Sequence, residues 1–215
     1  MKQILVTGFE PFGGEKQNAA WEAVRRLAEY APEGTRVTIR QLPTVFGRSV
    51  EAMKQAIRDI RPDVVLCVGQ AAGRRQITPE RVAINIDDAR IPDNDGQTPI
   101  DKPIVQGGPA AYWSTLPIKA IVKEIRAAGI DAAVSNSAGT YVCNHLFYGL
   151  AHLIATEYPH IRGGFIHVPL LPEQVHAESD WPGMPLDDIV RGLAIAVETC
   201  ACTERDIEQS GGLES

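Results

Sequence analysis

The run Val64-Val65-Leu66-Cys67-Val68 has no polar position. A strand sends successive side chains to opposite faces, so a run that is apolar throughout needs cover on both sides. Just before it, residues 45–60 space Val50, Met53, Ile57 and Ile60 along one helical face, and Pro62-Asp63 ends the segment. A helix leading into a doubly covered strand is the repeating unit of a parallel α/β sheet, and it constrains what the rest of the chain can do.

The same alternation recurs in both directions. Residues 4–7 predict a first strand, and Asn18 is placed to cap a helix carrying Trp21, Val24 and Leu27. Residues 35–42 predict a strand with Val37 and Ile39 on one face. Residues 75–87 alternate Ile77, Val82, Ile84 and Ile86 with polar positions, as a half-exposed strand or hairpin does. Residues 88–109 form a long polar segment without period, of the kind that is usually functional or mobile. Helices are predicted over 116–128, 142–158 and 186–200, and strands over 131–136 and 164–168. The expectation is one domain over residues 1–215, a mostly parallel sheet with helices on both faces, and a flexible tail over about 205–215.

In such sheets, sites form beyond the carboxyl ends of the strands. Four segments are candidates: residues 8–14, 69–73, 137–143 and 167–169. A formal net charge of −6 argues against nonspecific binding to nucleic acid or to an anionic membrane. The apolar run near the start, Ile4-Leu5-Val6, is too short for a signal-peptide core, and no stretch reaches membrane-spanning length. A cytoplasmic location follows as the default, with Cys67, Cys143, Cys200 and Cys202 as free thiols. The Cys200-Ala201-Cys202 pair has no matching pair elsewhere, so no metal and no cofactor are expected.

The chemistry points to Ser135-Asn136-Ser137-Ala138-Gly139-Thr140-Tyr141-Val142-Cys143-Asn144, a small-residue turn running into a cysteine at a helix start. Unpaired N–H groups and the helix dipole favour thiolate there, and the thiolate is the nucleophile. A cysteine nucleophile needs a base, and the base needs a third group to orient it. His167 closes an apolar strand and faces a loop, where it is either that base or a satisfied structural histidine. His145, two residues from Cys143, points to another face of its helix; His152, His160 and His176 carry weaker signals. Glu80 precedes buried sequence and is either the orienting carboxylate or a solvated edge residue. Arg90, in the long loop, is a candidate partner for a developing oxyanion. The loop Gly8-Phe9-Glu10-Pro11-Phe12-Gly13-Gly14 holds two phenylalanines beside a proline, as the wall of a small apolar pocket or as a turn tucked onto the domain. It lacks the Gly-Lys-Ser/Thr of a phosphate loop.

Together these motifs resemble the pyroglutamyl peptidase I family: the N-terminal strand and its loop through Gly14, Ile77-Thr78-Pro79-Glu80-Arg81-Val82-Ala83, the cysteine segment, and Phe165-Ile166-His167-Val168-Pro169. The resemblance spans about residues 1–200 and implies an α/β/α sandwich with a mixed, mostly parallel sheet. It implies a cysteine peptidase acting on peptides with an N-terminal pyroglutamate, assembled as a homotetramer or homodimer. It makes Cys143 the nucleophile, His167 the base and then acid, and Glu80 the orienting group. Arg90 and the Cys143 N–H would serve the oxyanion. Phe9 and Phe12 would sandwich the lactam ring, with Asn18, Gln70, Ile91, Tyr141 and Val142 completing the pocket. Tyr141 stands where many members have phenylalanine. Two other classes stay open on residues alone: a nucleoside-processing phosphorylase, and a non-catalytic module binding pyroglutamyl or proline-like peptides.

Overall fold

The structure, a computed structural model, describes residues 1–30, 32–175 and 179–212. In chain order the elements are β1 (Lys2–Phe9), α1 (Ala19–Arg26), β2 (Thr35–Leu42), α2 (Arg48–Ile60), β3 (Val64–Gln70), β4 (Thr78–Pro79), β5 (Val82–Ile84), β6 (Ala111–Trp113), α3 (Ile118–Ala127), α4 (Val142–Thr156), β7 (Arg162–Val168) and α5 (Leu186–Cys202). The main sheet runs β2-β1-β3-β7-β4, and β5 and β6 form a separate antiparallel pair. Its first four strands are parallel, and β4 joins antiparallel to β7.

The doubly covered strand behaves as its composition requires. Along β3, Val64, Leu66 and Val68 enter one hydrophobic cluster, together with side chains of α1, α3 and α5. Val65 and Cys67 enter the other, with α2 and α4. Three layers result, helices on each face of a mostly parallel mixed sheet. Each fully buried Val, Leu or Ile contributes about 1.5–3 kcal/mol to holding them together.

Local departures from the sequence pattern have identifiable causes. The helix expected from residue 45 begins at Arg48, because Gly47 takes φ 73° and the Phe46 N–H is held by the Asp93 carboxylate at 2.9 Å. The alternating segment 75–87 splits between two sheets, β4 pairing with β7 and β5 with β6. Residues 131–136 form no full strand. They run parallel beside β4 through single bridges, Ile77 with Ala132 and Glu80 with Ser135. The capping expectation holds: Asn18 Oδ1 accepts from the Ala20 N–H at 3.0 Å.

Part of the C-terminal segment lies against the domain. Asp206 accepts from the N–H groups of Lys119 and Ala120 at 3.0 and 2.9 Å, capping α3 from outside. Pro117, at that helix's own cap position, makes no side-chain capping bond. Residues 213–215 lie outside the described residues, as does His176.

Candidate active site

Because β1, β3 and β7 are neighbours, their carboxyl ends bring three of the four candidate loops together. The fourth is delivered by the bridged segment. Ser135 pairs with Glu80, and the chain then turns through Gly139, at φ 76°, into α4. That turn is tied to the long loop, since Asp88 N donates to the Thr140 carbonyl at 2.9 Å and Thr140 Oγ1 donates back at 2.8 Å. Cys143 is the second residue of α4. The first helical N–H to close on a carbonyl a turn earlier is that of His145, onto Tyr141 at 3.1 Å. The N–H groups before it are the ones a helix start leaves available.

Gly69 and His167 are register partners on β3 and β7, so they face the same side of the sheet. A Cβ on Gly69 would lie 2.9 Å from Cys143 Sγ, which puts the thiol directly over that glycine, one strand from His167. His167 is buried, its ring 4.8 Å from that of Phe165, and its Nδ1 lies 2.7 Å from Glu80 Oε1. With Nδ1 donating to the carboxylate, Nε2 is the basic nitrogen, and it has no protein hydrogen bond among the described residues. Glu80 is fully buried. Its Oε1 also accepts from Arg74 at 2.6 Å, and Arg74 reaches on to Thr78 Oγ1 and, at 2.8 Å, to the Ser137 carbonyl.

The electrostatics differ from what a helix start alone suggests. Burial pushes the Cys143 thiol up to about 12, with Glu80 adding to the effect and Arg74 opposing it. The expected resting thiolate is therefore replaced by a neutral thiol, since loss of hydration outweighs the helix dipole. Cys143 nevertheless keeps some exposed surface. Burial also depresses His167 below the ordinary imidazole value, against the pull of Glu80. Burial pushes Glu80 upward, yet its bond to His167 and the nearby Arg74 charge outweigh that and hold it below the usual carboxylate range. At neutral pH the site holds a carboxylate, a neutral imidazole and a thiol.

A second carboxylate–imidazole pair separates structure from chemistry. His145 Nδ1 lies 2.8 Å from Asp87 Oδ2, and its Nε2 accepts from the Gly47 N–H at 2.9 Å. Both nitrogens are occupied, so this imidazole holds α4 to the start of α2 and has no free lone pair for a substrate proton.

Some of the proposed pocket residues pack on the segment that leads into the thiol. Phe12 faces Tyr141 at 5.9 Å, and Phe46, absent from the sequence-based set, meets Tyr141 edge-on at 5.5 Å. Phe9 is buried against Phe165, at 6.3 Å, as part of the core rather than as an exposed wall. Tyr141 donates to the Pro92 carbonyl at 3.0 Å, beside exposed Ile91. Val142 is fully buried. Gln70 Oε1 accepts from Ala19 N at 2.8 Å and Gln174 Nε2 at 3.1 Å, so its own amide N–H groups remain the free end. Asn18 is occupied as a cap and donates to the Glu10 carbonyl at 3.3 Å. Arg90 is exposed in the loop joined to Thr140, and its side chain makes no hydrogen bond or ion pair among the described residues. The residues not singled out by pattern are Arg74, Phe46 and Asp87; Arg74 reaches Ser137, Phe46 meets Tyr141 and Asp87 meets His145, each contact between segments far apart in sequence.

The family described as pyroglutamyl peptidase matches residues 2–203. A pyrrolidone-carboxylate peptidase of Brevibacillus brevis is 57% identical over 212 residues, covering 99% of both chains. One from Streptomyces coelicolor is 54% identical over 214 residues, again with 99% of each covered. The crystal structure of Bacillus amyloliquefaciens pyroglutamyl peptidase I superposes with a TM-score of 0.94 at 55% identity, covering 96% of this chain and 100% of that one. The pyrrolidone carboxyl peptidase of Thermococcus litoralis gives 0.93 at 37% identity, covering 98% and 100%.

Proposed function

This chain belongs to the pyroglutamyl peptidase family, and from that premise we propose that Cys143, His167 and Glu80 carry out its reaction. The protein is a cysteine-type hydrolase that removes an N-terminal pyroglutamyl residue from peptides. The observation that carries the residue assignment is the 2.7 Å contact between His167 Nδ1 and Glu80, which leaves Nε2 basic beside the thiol over Gly69.

The reaction follows from these states. As Sγ attacks the scissile carbonyl carbon, its proton passes to His167 Nε2, so the thiolate exists only while the bond forms. The oxyanion meets the Cys143 N–H, with Arg90 able to swing in from the exposed loop. The tetrahedral adduct collapses as the C–N bond breaks, and the departing nitrogen takes the proton from His167. Water then gives a proton to Nε2 and attacks the thioester; the C–S bond breaks, pyroglutamate leaves, and sulfur regains its proton. Glu80 fixes the tautomer throughout and stabilises the transient imidazolium.

Specificity rests on a neutral lactam. The aromatic faces around Phe12, Tyr141 and Phe9 suit its ring, and the free amide end of Gln70 suits its carbonyl. Asn18, Ile91 and Val142 are assigned to the same pocket by the family resemblance. Proline lacks that carbonyl and would leave a buried donor unpaired.

A homotetramer or homodimer is part of the same proposal; exposed Trp113 and Ile100, 70% and 67% accessible, supply apolar surface for such contacts. A cytoplasmic location is supported by four unpaired cysteines, one of them the nucleophile. No helix among the described residues is long and apolar enough to cross a membrane.

The test compares a chromogenic pyroglutamyl amide with the matching prolyl amide. Amine release from the first alone supports the lactam pocket, and equal release from both contradicts it.

A further inference from the structure

We propose that Arg74 is a positioning residue of this site, its guanidinium clamping Glu80 Oε1 beneath His167 and tying that pair to the turn that delivers Cys143. The inference rests on the assignment of Cys143, His167 and Glu80 above. Three bonds from one side chain carry it. Nη1 donates to Glu80 Oε1 at 2.6 Å and to Thr78 Oγ1, and Nη2 donates to the Ser137 carbonyl at 2.8 Å. Thr78 is the register partner of His167, and Ser137 opens the small-residue turn six positions before the nucleophile. One planar fork therefore reaches the carboxylate, the strand beside the base and the cysteine turn at once. A lysine's point charge does not reproduce that reach.

The geometry also answers an electrostatic problem. A fully buried carboxylate 2.7 Å from Nδ1 draws a proton onto the imidazole, and a protonated His167 cannot accept one from sulfur. The charged groups acting on His167 are Glu80, just after β4, and Arg74, in the loop after β3, while the Cys143 thiol lies over Gly69, the register partner of His167 on β3. Burial is the largest influence toward the neutral ring, and the Arg74 charge adds to it against the pull of Glu80. Glu80 can thus hold the imidazole's orientation without holding it charged. Arg74 is three-quarters buried at its side chain, as this role needs.

The test uses full-length Arg74→Gln and Arg74→Lys, with kcat and KM for a pyroglutamyl amide measured at pH 6 and pH 8. Arg74→Gln is expected to lower kcat by about tenfold to a hundredfold, with KM little changed. Without the cation, His167 keeps its proton to higher pH, so the ratio of kcat/KM at pH 6 to that at pH 8 falls by about fivefold. Arg74→Lys is expected to restore that ratio while recovering only part of kcat. Should Arg74→Gln fold poorly, the lysine variant alone decides: a wild-type kcat contradicts the fork, and a reduced kcat with a wild-type pH ratio supports it. For Arg74→Gln, equal losses at both pH values overturn the proposal, as does an Arg74→Lys variant no better than Arg74→Gln. Activity retained by Cys143→Ser would instead overturn the underlying assignment, whatever Arg74 does.

Discussion

The sulfur of Cys143 sits where a side chain on residue 69 would have to go: a Cβ on Gly69 would stand 2.9 Å from Sγ and 2.8 Å from the Phe165 ring. The glycine is thus a vacancy in the sheet surface that the nucleophile fills. Gly69→Ala must displace either the thiol or the aromatic ring. A shift approaching 1 Å costs on the order of a hundredfold in kcat, while the overpacking costs about 1–3 kcal/mol of stability. Steady-state kinetics beside chemical denaturation checks both. Wild-type kcat in Gly69→Ala would mean that the thiol does not work from this position.

The two carboxylate–histidine pairs should respond in opposite ways. Glu80→Gln keeps the shape but removes the charge that fixes the His167 tautomer, and kcat should fall by about 10²–10⁴-fold. Asp87→Asn weakens a pair whose imidazole already has both nitrogens engaged, so it should cost about 1–3 kcal/mol of stability while kcat stays within a few fold. Measuring kcat and denaturation midpoints for both variants separates the roles. A larger kcat loss in Asp87→Asn than in Glu80→Gln would reverse them.

Dependence on pH follows from the directions of the shifts. His167 acts as a base when neutral, and burial depresses it below its ordinary value of 6.5. Activity should therefore be lost only as pH falls through a point below 6.5. Cys143, pushed up to about 12, stays a thiol across the neutral range. Alkylation of the free enzyme at Cys143 should keep accelerating above pH 9, with no plateau near neutrality. A plateau at pH 7 would indicate a preformed thiolate–imidazolium pair.

Tyr141 links the helix start to the long loop through its bond to the Pro92 carbonyl, 3.0 Å away. Tyr141→Phe keeps the aromatic face and removes that tie. A hydrogen bond of this kind contributes about 0.5–1.5 kcal/mol, so KM should rise by about two- to tenfold with kcat nearly unchanged. An unchanged KM would show that the loop bearing Arg90 and Ile91 is held by other contacts.

Much of this was legible in the sequence wherever one element carried its own signal. The apolar run of β3, the cap at Asn18 and the small-residue turn before Cys143 are local features, and the structure forms each of them. Cys143 and His167 stood out because one begins a helix and the other ends a strand. Glu80 was weaker, since β4 has only two residues, one of them proline, and takes its place by pairing with β7. The role of Arg74 was not legible, because it depends on one fork joining nearby Thr78 and Glu80 to the distant Ser137. His145, two residues from Cys143, has no partner legible in sequence, because Asp87 reaches it from far upstream in the chain. The helix start at Cys143 is visible in sequence, whereas the burial that pushes its thiol up to about 12 is not.

The most direct measurement is intact-mass and peptide mapping of enzyme acid-quenched during turnover of a pyroglutamyl amide. The account expects an adduct with the mass of one pyroglutamyl group on the peptide containing Cys143, absent from Cys143→Ser, which should also release no amine. An adduct on any other residue, or amine release by Cys143→Ser at the wild-type rate, would contradict it.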